Sequence, residues 1–189
     1  MTVTNYKQER DYWCGPASAK QSLSFHKRKS GSSTSLPTQT KLSSLIGTET
    51  NGASATTGIV TALNNYKNTF GFSANPYVAA DLTNTSNPEY VFNTRIKGVL
   101  KNRTNAPIVL VETKYLPRYS GKVLRHYFTI SGYSHEYATG KKLMKTVDPN
   151  YMTAYLGSYW DPIGSKTTNG VFRAVYQADV SAGNMAMAY

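Results

Sequence analysis

The chain has 189 residues, 40% of them hydrophobic, which suits one domain with a core that needs no disulfide or metal staple. Its single cysteine excludes an internal disulfide framework and a cysteine-built zinc site, since both need several sulfurs. Lys and Arg outnumber Asp and Glu by 21 to 10, a formal charge of +11, so anionic partners come into view: anionic cell-wall polymer, membrane headgroups and, less readily, nucleic acid. A solvated surface accounts for the same charge without a partner.

No apolar run approaches a membrane span, and a soluble, monomeric protein is expected. The first residues, Met1 to Tyr6, lack the basic and then apolar build of a secretory signal. The low charged fraction of 16% and the 15 tyrosines nevertheless favour a secreted protein whose leader has been removed, with a cytoplasmic protein as the alternative. From Arg95 to Arg125 eight cations face one acid, Glu112, which reads as a basic patch.

In chain order, residues 14–26 read as a helix, with Pro16 in its first turn and Ala19, Leu23 and His26 on one face. Cys14 then stands at a helix N-terminus. Residues 29–40 form an exposed connection, after which Thr38 caps a short helix carrying Leu42, Leu45 and Ile46 that Gly47 stops. A loop over 48–57 runs into a helix with Ile59, Val60, Leu63 and Tyr66 inward, while 70–87 shows no clear period. Asn87 and Pro88 open a helix to about Lys101, with Val91, Phe92, Arg95, Ile96, Val99 and Leu100 at helical spacing.

Three apolar runs follow, at 107–113, 125–133 and 143–147, and read as strands of one antiparallel sheet, because the loops between them carry no crossover helix. The tail from Tyr151 is aromatic and irregular, and 170–179 fits helix or strand. Helices first and sheet afterwards give an α+β domain, with no internal repeat or second domain.

A thiol is a useful nucleophile only as thiolate, and a helix N-terminus lowers its pKa. Cys14 has that position and next needs a histidine base on a facing element. Of the three histidines, His26 lies about twelve residues along the same helix, roughly 18 Å away at about 1.5 Å per residue. His135 falls in the turn Ser134-His-Glu-Tyr and reads as a surface residue. That leaves His126, which opens a strand with Phe128 and Ile130 on its face. Asp148 ends the partner strand, beside the start of the histidine strand, and suits the group that orients the imidazole. Gln8, six residues before Cys14, offers a side-chain amide to an oxyanion.

Gln8-Glu-Arg-Asp-Tyr-Trp-Cys14-Gly-Pro-Ala-Ser, Arg125-His126-Tyr-Phe and Thr146-Val-Asp148-Pro149 together resemble the double-glycine (bacteriocin-processing) peptidases in their stand-alone, secreted form. Gly47-Thr48 and residues 57–66 look like the Gly-Thr loop and following helix of those members, so the likeness spans roughly 6–150. The resemblance implies a papain-like cysteine peptidase fold, an N-terminal helical part with the nucleophile helix packed on a C-terminal antiparallel sheet. It also implies the roles of Cys14 as nucleophile, His126 as base, Asp148 as orienter and Gln8 as oxyanion donor, with no cofactor or metal. Members joined to transporters cut leader peptides and carry membrane segments absent here, so that substrate is not implied.

The expected activity is a peptidase or amidase working through an acyl-thioester. Transglutaminase-like acyl transfer uses the same machinery, and a binding module for anionic cell-wall polymer is the alternative from another class. A zinc hydrolase finds no short ligand spacing among three scattered histidines. Tyr12, Trp13, Tyr151, Tyr155, Tyr159 and Trp160 are the aromatic candidates for lining a cleft.

Overall fold

A computed structural model describes residues 1–48, 54–183 and 185–189. Helix α1 is Cys14–Ser30, four residues longer than its apolar pattern suggests. Lys27, Arg28 and Lys29 fill its last turn, where cations complement the negative end of the helix dipole. The exposed connection therefore begins later than expected. Helix α2, Gln39–Ile46, starts where predicted, because Thr38 Oγ1 accepts the Lys41 N–H at 3.1 Å. It ends at Gly47, whose φ of 73° is the left-handed value that favours glycine. Of the loop expected over 48–57, residues 49–53 lie outside the described set, and α3, Thr56–Asn64, follows it.

The region without a clear period holds one short strand, β1, Ala79–Ala80. Helix α4, Pro88–Asn102, is capped by Asn87, whose Oδ1 accepts the Tyr90 N–H at 3.1 Å. Strands β2 (Ile108–Glu112), β3 (Arg125–Glu136) and β4 (Lys141–Asp148) match the three apolar runs. The tail is more regular than its composition implies: β5 (Gly157–Pro162), α5 (Val171–Ala182) and β6 (Met187–Ala188) are all formed there. The ambiguity over 170–179 resolves to helix, packed against β2.

The strands form one six-stranded antiparallel sheet in the order β1-β6-β2-β3-β4-β5. Strand β3 is central and apolar on both faces, with Tyr127, Phe128 and Ile130 buried. Helix α1 lies across it. The Thr129 hydroxyl lies against Ser18 O and Gln21 Oε1 of that helix, at 3.2 and 3.0 Å. Leu23, Leu42, Ile59, Leu63, Phe92 and Ile96, all fully buried, tie the helices into one core with the sheet. Each such side chain contributes roughly 1.5–3 kcal/mol. The outcome is the α+β architecture expected, with the first residue of α1 held over the start of β3. Among the described residues no helix is long and apolar enough to cross a membrane.

Candidate active site

Cys14 is the first residue of α1, and the local sequence keeps that helix end electropositive. The first turn contains no acid, and Trp13 before it supplies no side-chain cap, so the free N–H groups face the sulfur. Pro16 has no N–H to leave unsatisfied there. Burial pushes the Cys14 thiol up. The hydrogen bond and charge of His126, with the N–H groups of Tyr127 and Gly15, outweigh burial, and the net shift is downward.

His126 is buried on β3, and its Nε2–H donates to Asp148 Oδ1 at 2.8 Å. Nδ1 is then the ring nitrogen left for the cysteine sulfur. Burial disfavours the imidazolium, but the Asp148 carboxylate and the contact with Cys14 more than offset it, raising the pKa to about 10. A lowered thiol beside a raised imidazole is a pair poised to exist as thiolate and imidazolium.

Asp148 reaches His126 through an irregularity in the sheet. Thr129 pairs with Val147 at the site end of the β3–β4 ladder, whereas Gly132 pairs with Lys145 at the hairpin end, and Ser131 is the extra residue between the two registers. Side chains alternate faces along a strand, so this bulge decides which face Asp148 occupies. In the site-end register it comes level with Phe128, on the face of His126. Continuing the hairpin-end register would bring it level with Thr129, on the opposite face. An isolated glycine in a strand is the sequence signal for such a bulge, and Gly132 supplies it.

Gln8 lines the same cleft, and its backbone N–H donates to Pro149 O at 2.8 Å, tying the N-terminal segment to the end of β4. Its Nε2 donates to the carbonyls of Arg10 and Asp11, both at 2.8 Å, and its buried Oε1 has no partner in the protein. The amide thus stands at the site already engaged with its own turn. The cleft, about 180 Å³, is bounded by Gln8, Asp11, Tyr12, Cys14, Leu124, Arg125, His126, Asn150 and Tyr151. Two of the six aromatic candidates, Tyr12 and Tyr151, line it. Tyr155 stacks on Tyr119, Tyr159 stacks on a guanidinium, Trp13 is buried beside Arg10, and Trp160 is half exposed away from the cleft.

The remaining histidines lie elsewhere. His26 is buried, with Nε2 2.8 Å from the Tyr77 hydroxyl, and burial lowers its pKa to about 3. His135 is exposed near the hairpin end. Among the described residues no group of three or more His, Cys, Asp or Glu side chains is arranged to hold a metal ion.

Composition gives no sign of the groups behind Asp148. Arg118, from the β2–β3 connection, donates through Nη2 to Asp148 Oδ2 at 2.7 Å. Its Nε lies 3.1 and 3.0 Å from the two oxygens of Asp161 on β5. The Tyr119 hydroxyl donates to Asp148 Oδ2 at 2.6 Å, and the Asn150 N–H donates to Oδ1 at 3.0 Å. Burial raises the Asp148 carboxyl, and His126, Arg118 and Tyr119 more than compensate, leaving it below its ordinary value.

A cysteine at a helix N-terminus, facing a strand-borne histidine backed by a carboxylate, is the layout of a papain-like cysteine peptidase, and the α+β frame that carries it has the same fold. The structure of the bromelain protease from Ananas comosus in complex with the E64 inhibitor matches over 99% of this chain and 93% of that one, with a TM-score of 0.56 at 15% identity. The chain belongs to the Peptidase_C39-like family, whose model matches residues 1–181, and it is a cysteine peptidase. No protein with curated annotation matches it.

Proposed function

We propose that the protein hydrolyses peptide or amide bonds through an acyl-thioester on Cys14. The observation that carries this reading is that Cys14 and His126 line one cleft, with His126 bonded through Nε2 to Asp148 Oδ1 behind it. The thiolate attacks the substrate carbonyl carbon and forms a tetrahedral intermediate whose negative charge rests on the former carbonyl oxygen. Backbone N–H groups at the start of α1 and the Gln8 amide stabilise that oxygen. As the intermediate collapses, the carbon–nitrogen bond breaks and His126 gives its proton to the departing amine.

Water then loses a proton to His126 and attacks the thioester carbonyl, the carbon–sulfur bond breaks, and the thiolate returns. Asp148 keeps Nε2 as the donating nitrogen throughout, so Nδ1 stays directed at the sulfur. A stand-alone, secreted enzyme is the form of the family we favour, with a peptide or protein as substrate.

Iodoacetamide tests the central claim. Cys14 should be carboxamidomethylated at pH 5–6 at least about tenfold faster than free cysteine, which is almost wholly protonated there. Cys14→Ala should abolish hydrolysis of a mixed peptide pool, measured by mass spectrometry of the products. Labelling no faster than free cysteine, or activity surviving in Cys14→Ala, sinks the proposal.

A further inference from the structure

The Asp148 carboxylate does not serve His126 alone. One oxygen takes the His126 N–H and the other takes the Arg118 Nη2–H, so the charge that steadies an imidazolium is shared with a guanidinium. That guanidinium is itself shared, since its Nε faces both oxygens of Asp161, and Thr146 Oγ1 donates to Asp161 Oδ2 at 2.6 Å. Arg118 is fixed between the rings of Tyr119 and Tyr159, at 4.6 and 4.5 Å from their centroids. Asp148, Asp161 and Arg118 side chains are 0%, 4% and 14% exposed, so solvent screens these charges weakly.

We propose that Arg118 is a positioning residue that sets how much of the Asp148 charge reaches His126, and that Asp161 counterweights it by drawing the guanidinium away from Asp148. This inference rests on the catalytic reading above and adds two groups to it, neither of which touches the substrate cleft. Every charged or titratable neighbour enters the balance: Cys14 from α1, Asp148 from β4, Arg118 and Tyr119 from the β2–β3 connection, Asp161 from β5, Arg125 and Tyr127 on the same strand, and Asp11, Tyr12 and Tyr151 at the cleft. The Arg118–Asp161 pair can be altered from behind, leaving the cleft untouched.

The two partners make opposite predictions. Neutralising Asp161 removes a negative charge from the network, which disfavours the imidazolium and favours the thiolate. Neutralising Arg118 does the reverse. In the full chain, the pH midpoint of Cys14 alkylation by iodoacetamide and the His126 ring-proton titration followed by NMR should both fall in Asp161→Asn. Both should rise in Arg118→Met, by roughly one unit in each direction.

Equal losses of activity with unmoved midpoints would make the pair merely structural and overturn the inference, while fast labelling of the unaltered protein would leave the catalytic reading standing. Slow labelling of the unaltered protein would overturn the reading itself. Should Arg118→Met not fold, Asp161→Asn decides the matter, because it keeps the shape of the side chain and Thr146 can rotate to accept; an unchanged midpoint there is fatal.

Discussion

Gln8 shows most sharply what a residue type in the right place does and does not settle. Six residues before Cys14, it lines the cleft, but Nε2 is bound to the Arg10 and Asp11 carbonyls and Oε1 has no protein partner. In the proposed mechanism an oxyanion has to draw one amide hydrogen from the Gln8 turn, while the turn fixes the direction from which that hydrogen comes. Gln8→Ala should lower kcat about 10²-fold with little change in KM, the pattern of a contact made only in the transition state. A loss under about threefold in steady-state kinetics would remove Gln8 from the oxyanion site. At this scale the cysteine, the histidine and the carboxylate were legible because their chemistry demands particular elements and ends of elements. Arg118, Tyr119 and Asp161 were not. Arg118 sits in a run of eight cations that reads as a basic face, and its turn inward depends on carboxylates 30 and 43 residues away.

Elements with local signals were the ones read correctly. Helix α2 carries its cap and its stopping glycine, and α4 carries Asn87 and Pro88, so local hydrogen bonds define both. The tail lacks such signals. Helix α5 begins at Gly170 without a side-chain cap, and its Val, Phe and Tyr content suits a strand equally well. Its helical state is decided by packing on β2, which sequence alone does not display. Strand β5 is an edge strand of alternating burial ending in Pro162, a proline position that edges tolerate. Close approach rather than a turn explains another glycine: a Cβ at Gly58, in α3, would collide with the backbone carbonyl of Ile46 at the end of α2. Gly58→Ala should thus destabilise the protein by about 1–3 kcal/mol despite alanine's better helix propensity. An unchanged or higher melting temperature would show that the two helices are not in such close contact.

For the whole molecule, the excess of positive charge is arranged differently from the linear run. Arg118 is turned inward and only 14% exposed, Lys114 pairs with Glu112 at 3.1 Å, and Arg95 donates to the Asp81 carbonyl at 3.2 Å. A hollow of about 610 Å³, larger than the cleft beside Cys14 and sharing no residue with it, is instead lined by Lys20, Lys27 and Arg28, without an acid. If surface charge holds the enzyme near anionic polymer, retention on a heparin column at low salt should be lost near ~0.3 M, and the triple change of Lys20, Lys27 and Arg28 to Gln should weaken it further. Elution unchanged in the triple variant would clear that hollow of the role.

The bulge at Ser131 has a consequence for how this architecture can vary. It acts as a phase joint in the long β3–β4 ribbon: beyond it the strands can lengthen, shorten or exchange their tip without altering what stands beside the imidazole. Were Ser131 instead taken into the regular ladder, the site end would slip by one pair and the carboxylate would turn to the far side of the sheet, a folded protein in which Asp148 no longer meets His126.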